Sequence, residues 1–410
     1  MAVVANGMTA PEIEYNLEKM RNDIGEPSFY NMKVSNTRIL SAARARVRVG
    51  SQPGGTRYSF AFYGDSRFAG VPGETPSLGV TGRIAAVPRQ VAKMLNDFGG
   101  IPAVVDSLCG SSGEANPTDY DLYNSTFSDR GAGWIFGVNI STGGNCWANN
   151  NNTDLLPVRR FDGGAFDTID VWALDSASRT LDALISPGGS SVANFVTGGA
   201  GVLRKFTMSL GSSTTVAYLR QRNTSSPVSV NSVIARNAAN VELEIYNLGR
   251  AGWRASNLTD TSTAFASLNA LISREHDFVF CNTGTNDGLY AKTLSGTAIT
   301  DFTRGSGAGS FKTDYQAIID AVKGYGGGFA IVVPAQSQPS TQVPQDIQDQ
   351  INLSLYELAI ANDVPLIDLA LRNGSYATAA GNGLISGGLH ETRVGYNDHA
   401  SAITDFIMRA

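Results

Sequence analysis

Four polar segments of this chain hold groups that could do chemistry together. "GDS" at 64–66 supplies a hydroxyl, "NLGRAG" at 247–252 a bare stretch of backbone, "NTGTNDG" at 282–288 an amide donor, and "GGLHETRVGY" at 387–396 an imidazole. Each follows an apolar run or lies in a late glycine-rich loop. A hydroxyl, an imidazole to take its proton and donors to hold a developing negative charge are the parts of acyl transfer through a serine. Alone, "GDS" says little, since an ordinary surface turn has the same composition.

The runs between these segments define the elements that must position them. "YSFAFYGDS" reads as a buried strand and "IPAVVDSL" as another. "VPRQVAKMLNDFG" reads as an amphipathic helix with Val87, Val91, Leu95 and Phe98 on one side. After about 237 the rhythm continues, with strands "VELEIYNLG", "DFVFCNTGTNDG", "GFAIVVPA" and "VPLIDLAL" alternating with helices "STAFASLNALISREH", "FKTDYQAIIDAVKGYG" and "DIQDQINLSLYELAIAND". That alternation predicts a mostly parallel sheet covered on both faces, with ligands bound beyond the carboxyl ends of its strands. Between 110 and 236 helical periodicity gives way to short runs such as "DTIDVWALD", "RKFTMSLG" and "PVSVNSVIA" among Gly/Ser/Asn turns. These predict an inserted β-sandwich of jelly-roll type, leaving 58–109 and 237–410 as one discontinuous domain. Residues 1–57 form a separate lead: "APEIEYNLEKMRND" reads as a helix opening at Pro11, and "NTRILSAARARVRVG" alternates arginine with small or apolar residues. Either piece could pack on the main domain or on another copy of the chain.

Composition narrows the partners. The 410 residues carry 16% charged side chains and a formal net charge of −5, which argues against sequence-independent nucleic-acid binding and favours an uncharged or weakly anionic ligand. No run approaches the roughly 18 apolar residues of a membrane span, and "MAVVANGMTAPEIEYNLEKM" lacks the basic start and apolar centre of a signal peptide. Neither membrane insertion nor export by the usual route is expected. Cys109, Cys146 and Cys281 are too scattered for a disulfide framework or a zinc site and read as packing residues. No metal or cofactor is called for.

The four segments resemble, in order and in context, the motif blocks of the SGNH or GDSL-type hydrolases. The resemblance covers about 58–108 and 237–410. It implies a three-layer α/β/α fold with Ser66 as nucleophile, His390 ahead of Gly395 and Tyr396 as general base, and an oxyanion hole of the Ser66 and Gly249 amides with the Asn286 side chain. The substrate it implies is an acylated carbohydrate, since family members acting on polysaccharides carry insertions of this kind. The arrangement is also similar to phage tail-spike deacetylases, which implies a virion-tail or extracellular setting, homotrimeric assembly and attachment through residues 1–57.

One position departs from the family pattern. The acid that precedes the histidine by three residues is replaced by Gly387. Either a backbone carbonyl orients His390, a carboxylate such as Asp368 or Asp398 stands in, or the site has decayed into a binding pocket. Other residues carry plainer expectations. Arg67 reads as a solvated or salt-bridged surface residue, with contact to an anionic sugar as the sharper alternative. His276 suits a helix end as a cation, and His399 a structural place in the last helix. Trp134, Trp147 and Trp172 read mainly as sandwich core, with sugar stacking as the alternative.

Overall fold

A computed structural model describes residues 29–30, 32–49, 57–71, 85–106, 131, 134–137, 146–149, 151–175, 178–222, 227–263, 266–293 and 310–410. The helix expected from Pro11 and the residue Cys109 lie outside these, as do the side chains of Cys146 and Trp147.

Seven strands build the central sheet. In chain order they are β1 (Phe29–Tyr30), β2 (Ser59–Gly64), β3 (Ala103–Val105), then, after the sandwich, β13 (Leu243–Gly249), β14 (Phe278–Asn282), β15 (Gly328–Val333) and β16 (Leu366–Asp368). Their spatial order is β1-β16-β15-β14-β2-β13-β3. All pairings are parallel except β1 with β16. β13 and β14, consecutive in the chain, flank β2 on opposite sides, so the strand order reverses there. A crevice opens at the carboxyl ends of strands where such a reversal occurs, and β2 ends in it.

Side chains along each strand alternate between two apolar layers. Ala61 and Tyr63 join one core with Val279, Ile331 and the helices Ser267–Arg274, Phe311–Gly324 and Gln345–Asn362. Phe60 and Phe62 join the other with Phe280, Val332 and the helices Val34–Val49, Val87–Met94 and Arg393–Arg409. The second half of the lead thus becomes a helix whose Leu40, Ala43 and Val47 pack on its own chain. Arg44 ties that helix to the carbonyls of Met408 and Ala410. Helical spacing of those apolar residues outweighs the alternation of the arginines.

Phe98 does not join the buried side of its helix as expected. Val87, Val91 and Leu95 are buried, but Phe98 is 84% exposed. The helix widens into a π-turn at Leu95–Gly99. The extra residue per turn rotates Phe98 away from the core.

The antiparallel strands between residues 135 and 236 form two sheets. One contains β4 (Ile135–Gly137), β5 (Cys146–Asn149), β7 (Phe166–Asp175), β10 (Val202–Thr214) and β12 (Val228–Arg236). The other contains β6 (Leu156–Val158), β8 (Thr180–Leu184), β9 (Ala193–Val196) and β11 (Ala217–Gln221). Between them lies a third core that includes Trp134, Ile169, Val171, Leu181, Leu219 and Val230.

The sandwich is joined to the α/β body by polar groups as well as apolar ones. Trp172 packs into the α/β core and its Nε1 donates to Tyr246 Oη at 3.3 Å. Lys205 meets Glu244 at 2.9 Å and Asp170 at 3.2 Å, and Arg236 meets Asp170 at 2.6 Å. Trp134 is fully buried and Trp172 nearly so, which removes both as sugar platforms. No helix among the described residues is long and apolar enough to cross a membrane.

Candidate active site

β2 stops at Gly64 because of what lies beside it. A Cβ at that position would sit 2.0 Å from the Asn282 carbonyl oxygen of the neighbouring strand. Asp65 then caps a one-turn helix, Ser66–Ala69, its carboxylate accepting from the Arg67 amide at 3.0 Å while its own N–H donates to Asn282 O at 3.1 Å. The Ser66 N–H, at the first turn of this helix, has no acceptor among the described residues. Gly249 ends β13 level with Gly64. A Cβ there would meet the Ala69 amide at 2.2 Å, so the helix Ser66–Ala69 rests directly on bare backbone.

His390 comes from the far end of the chain. Ile385–Ser386 and His390–Glu391 form a short hairpin (β17 and β18) in which Ser386 faces His390. Its turn requires left-handed backbone at Gly387 and Gly388, with φ of 64° and 85°. That requirement gives a physical reason for glycine at the place where the family carries its acid. His390 Nε2 lies 2.9 Å from Ser66 Oγ.

The remaining expected residues cluster at the same sheet edge. Asn286 opens the helix Thr285–Thr293 just beyond β14, with Nδ2 donating to Trp253 O at 2.9 Å. One of its two amide protons is so used, and the other is left to point elsewhere. Asp287 accepts from the Ala255 amide at 3.2 Å, bracing the loop after Gly249 against the Asn286 segment. The Gly249 N–H is engaged by Asn247 Oδ1 at 3.0 Å, so it would have to exchange that bond for an oxyanion.

Neither carboxylate expected to stand in for the missing acid does so. Asp368 accepts from Tyr356 Oη and from the Leu371 amide, both at 2.6 Å, and caps the helix Leu369–Asn373. Asp398 pairs with Arg372 at 2.9 Å. The charges that reach the His390 ring are Glu391 and Arg67.

Arg67 overturns its surface reading. It is buried at 1% exposure and forms an ion pair with Glu391, while its Nη2 donates to Ser337 Oγ at 3.2 Å and Leu389 O at 3.0 Å. Glu391 was not singled out in the sequence. The only sequence signal for it is a carboxylate directly after the histidine.

Electrostatics follow from burial. It pushes Asp65 up to about 7 despite the opposing charge and amide of Arg67. Asp287 likewise rises to about 7. Burial lowers His390 to about 4, with Glu391 raising it and Arg67 lowering it. His276 is not a cation at a helix end: it is buried against Tyr246, and desolvation with the charges of Arg274 and Lys205 holds its pKa well below the ordinary value. His399 keeps its structural place, bonded to Asn373 at 2.8 Å. Cys281 is a buried thiol pushed up to about 12.

A sheet reversing at β2, with a serine at the end of that strand facing a late histidine, is the arrangement that the four polar segments imply. The fold is that of an SGNH hydrolase. The profile of the GDSL-like lipase/acylhydrolase family matches residues 209–397. That stretch begins within β10 of the sandwich and holds Gly249, Asn286 and His390 but not Ser66. Among solved structures, the SGNH fold seen here is similar to a peptidoglycan O-acetylesterase at 13% identity, covering 92% of this chain and 96% of that one with a TM-score of 0.63. A lipase/acylhydrolase from Enterococcus faecalis aligns at 19% identity over 41% of this chain and 77% of its own, with a TM-score of 0.30. An acetyl-xylooligosaccharide esterase variant from Geobacillus aligns at 14% identity over 41% and 73%, with a TM-score of 0.32. No curated protein sequence matches the chain.

Proposed function

We propose that this protein is a serine esterase that removes O-acetyl or other small acyl groups from a carbohydrate, with bacterial surface polysaccharide as the substrate class. The observation that carries the reading is the 2.9 Å contact between Ser66 Oγ and His390 Nε2 at the carboxyl end of β2. The hydroxyl proton passes to Nε2 as Oγ bonds to the acyl carbon. Collapse of the tetrahedral species breaks the bond to the sugar oxygen, which takes that proton and leaves. Water then repeats the sequence on the acyl-enzyme, releasing the acid and restoring Ser66. The Ser66 N–H and the second Asn286 amide proton are the donors to hand, and the Gly249 N–H joins them by leaving Asn247. The match to acylhydrolases over 209–397 and the likeness in fold to an O-acetylesterase support the reaction class.

Release of p-nitrophenol from p-nitrophenyl acetate by the parent and by Ser66→Ala tests this. Loss of turnover in a folded Ser66→Ala is expected; equal rates would sink the esterase. A second reading, a glycan-binding protein on an inert hydrolase scaffold, is favoured by Gly387 and by the engaged Gly249 amide. It predicts retained glycan binding with no acetate released by either form.

A further inference from the structure

We propose that the buried Arg67–Glu391 ion pair is the positioning device of this site, holding nucleophile and base in register where the left-handed hairpin turn carries glycine in place of the family's acid. The inference rests on the Ser66–His390 reading above. Each partner is the chain neighbour of a reacting residue: Arg67 follows Ser66, and Glu391 follows His390. The Ser66–His390 hydrogen bond and the Arg67–Glu391 pair are therefore two ties between the same two elements, the helix Ser66–Ala69 and β18.

Strand geometry decides why Glu391 positions the base and does not orient it by contact. Successive side chains on a strand point to opposite faces. His390 faces Ser66, so Glu391 turns into the interior, where its side chain is 0% exposed and that of Arg67 2%. Arg67 grips the hairpin a second time through Leu389 O, in the turn itself, and reaches Ser337 beyond β15. From the other side His399 Nδ1 stands 3.9 Å from Glu391 Oε1. A turn of two left-handed glycines offers little stiffness of its own. The ion pair supplies it, because a buried guanidinium and carboxylate cannot separate without leaving a desolvated charge uncompensated.

The test combines Arg67→Met, Glu391→Gln and the double variant Arg67→Met/Glu391→Leu, with Ser66→Ala as control. Each single variant is expected to lower kcat by about 10²-fold, as a small misplacement of reacting groups does, with KM within about three-fold. The acid limb of the rate profile should move down in pH for Glu391→Gln, which leaves Arg67 beside the ring, and up for Arg67→Met. An apolar pair of similar volume is often as stable as the ion pair it replaces, so the double variant should regain the parental Tm while kcat stays low. Recovery of kcat together with Tm, or single variants with parental kcat and acid limb, would show that the pair serves only the fold. An inactive Ser66→Ala beside unaffected pair variants sinks this inference alone; a fully active Ser66→Ala sinks the esterase reading and this one with it.

Discussion

Burial and two neighbouring charges set the working range of His390. Desolvation lowers its pKa to about 4, Glu391 pulling up and Arg67 down. A base must be neutral to accept the Ser66 proton, so kcat/KM on p-nitrophenyl acetate should persist through pH 5–6 and fall only near 4; an acid limb at the ordinary histidine value of about 6.5 would contradict the buried geometry. Stability moves in the same sense. An unfolded chain protonates this imidazole below about 6.5 while the folded one does not until about 4, so this group weakens the fold as pH drops through that window. Asp65 and Asp287, pushed up to about 7, act oppositely and weaken it as pH rises from about 4 to 7. Activity therefore reports on His390 more cleanly than melting does.

Two close backbone contacts place the element that carries Ser66. Gly64 ends β2 hard against Asn282 O of β14, and Gly249 of β13 lies against the Ala69 amide, so the helix Ser66–Ala69 starts from one close contact and rests on the other. Gly249→Ala would drive a methyl into that helix. The expected result is a loss of about 1–3 kcal/mol in stability and about 10² in kcat as Ser66 is displaced, read by urea melting and esterase assay. Parental kcat would mean that the contact relaxes without moving the serine. The glycine of the "NLGRAG" segment is visible in the sequence as a place of backbone approach; that its neighbour is the helix Ser66–Ala69 is not, because the contact joins segments 180 residues apart.

The sandwich and the α/β body share charges across their boundary. Burial alone would raise the Asp170 carboxyl, but Arg236 and Lys205 outweigh it and hold it below the usual range. From the other side Glu244 meets Lys205 and accepts from Tyr246 Oη at 2.9 Å. Arg274 donates to Ser232 Oγ at 3.0 Å, hydrogen-bonds to Asn231 and lies over the Trp172 ring. Glu244→Ala leaves the buried Tyr246 hydroxyl without its acceptor and Lys205 with Asp170 alone, and a cost on the order of 1–3 kcal/mol is expected, seen as a Tm lower by several degrees with a single transition. An unchanged Tm would show the boundary to be energetically idle.

Local pattern sufficed for the alternation of strands and helices, the shift to short strands after 110, and the polar segments at strand ends, since periodicity and turn chemistry act over a few residues. It marked Ser66, where an apolar run gives way to glycine, and His390, in a late glycine-rich loop, and the structure brings the two within 2.9 Å. It did not reach Arg67 or Glu391. One charged residue beside a functional one looks solvated in a sequence, and only folding shows that the two, 324 positions apart, meet in the interior. Nor did it reach Phe98, whose exposure follows from one residue of extra winding. Burial of a charge depends on what packs around it, a property of the assembled tertiary structure and of no single segment.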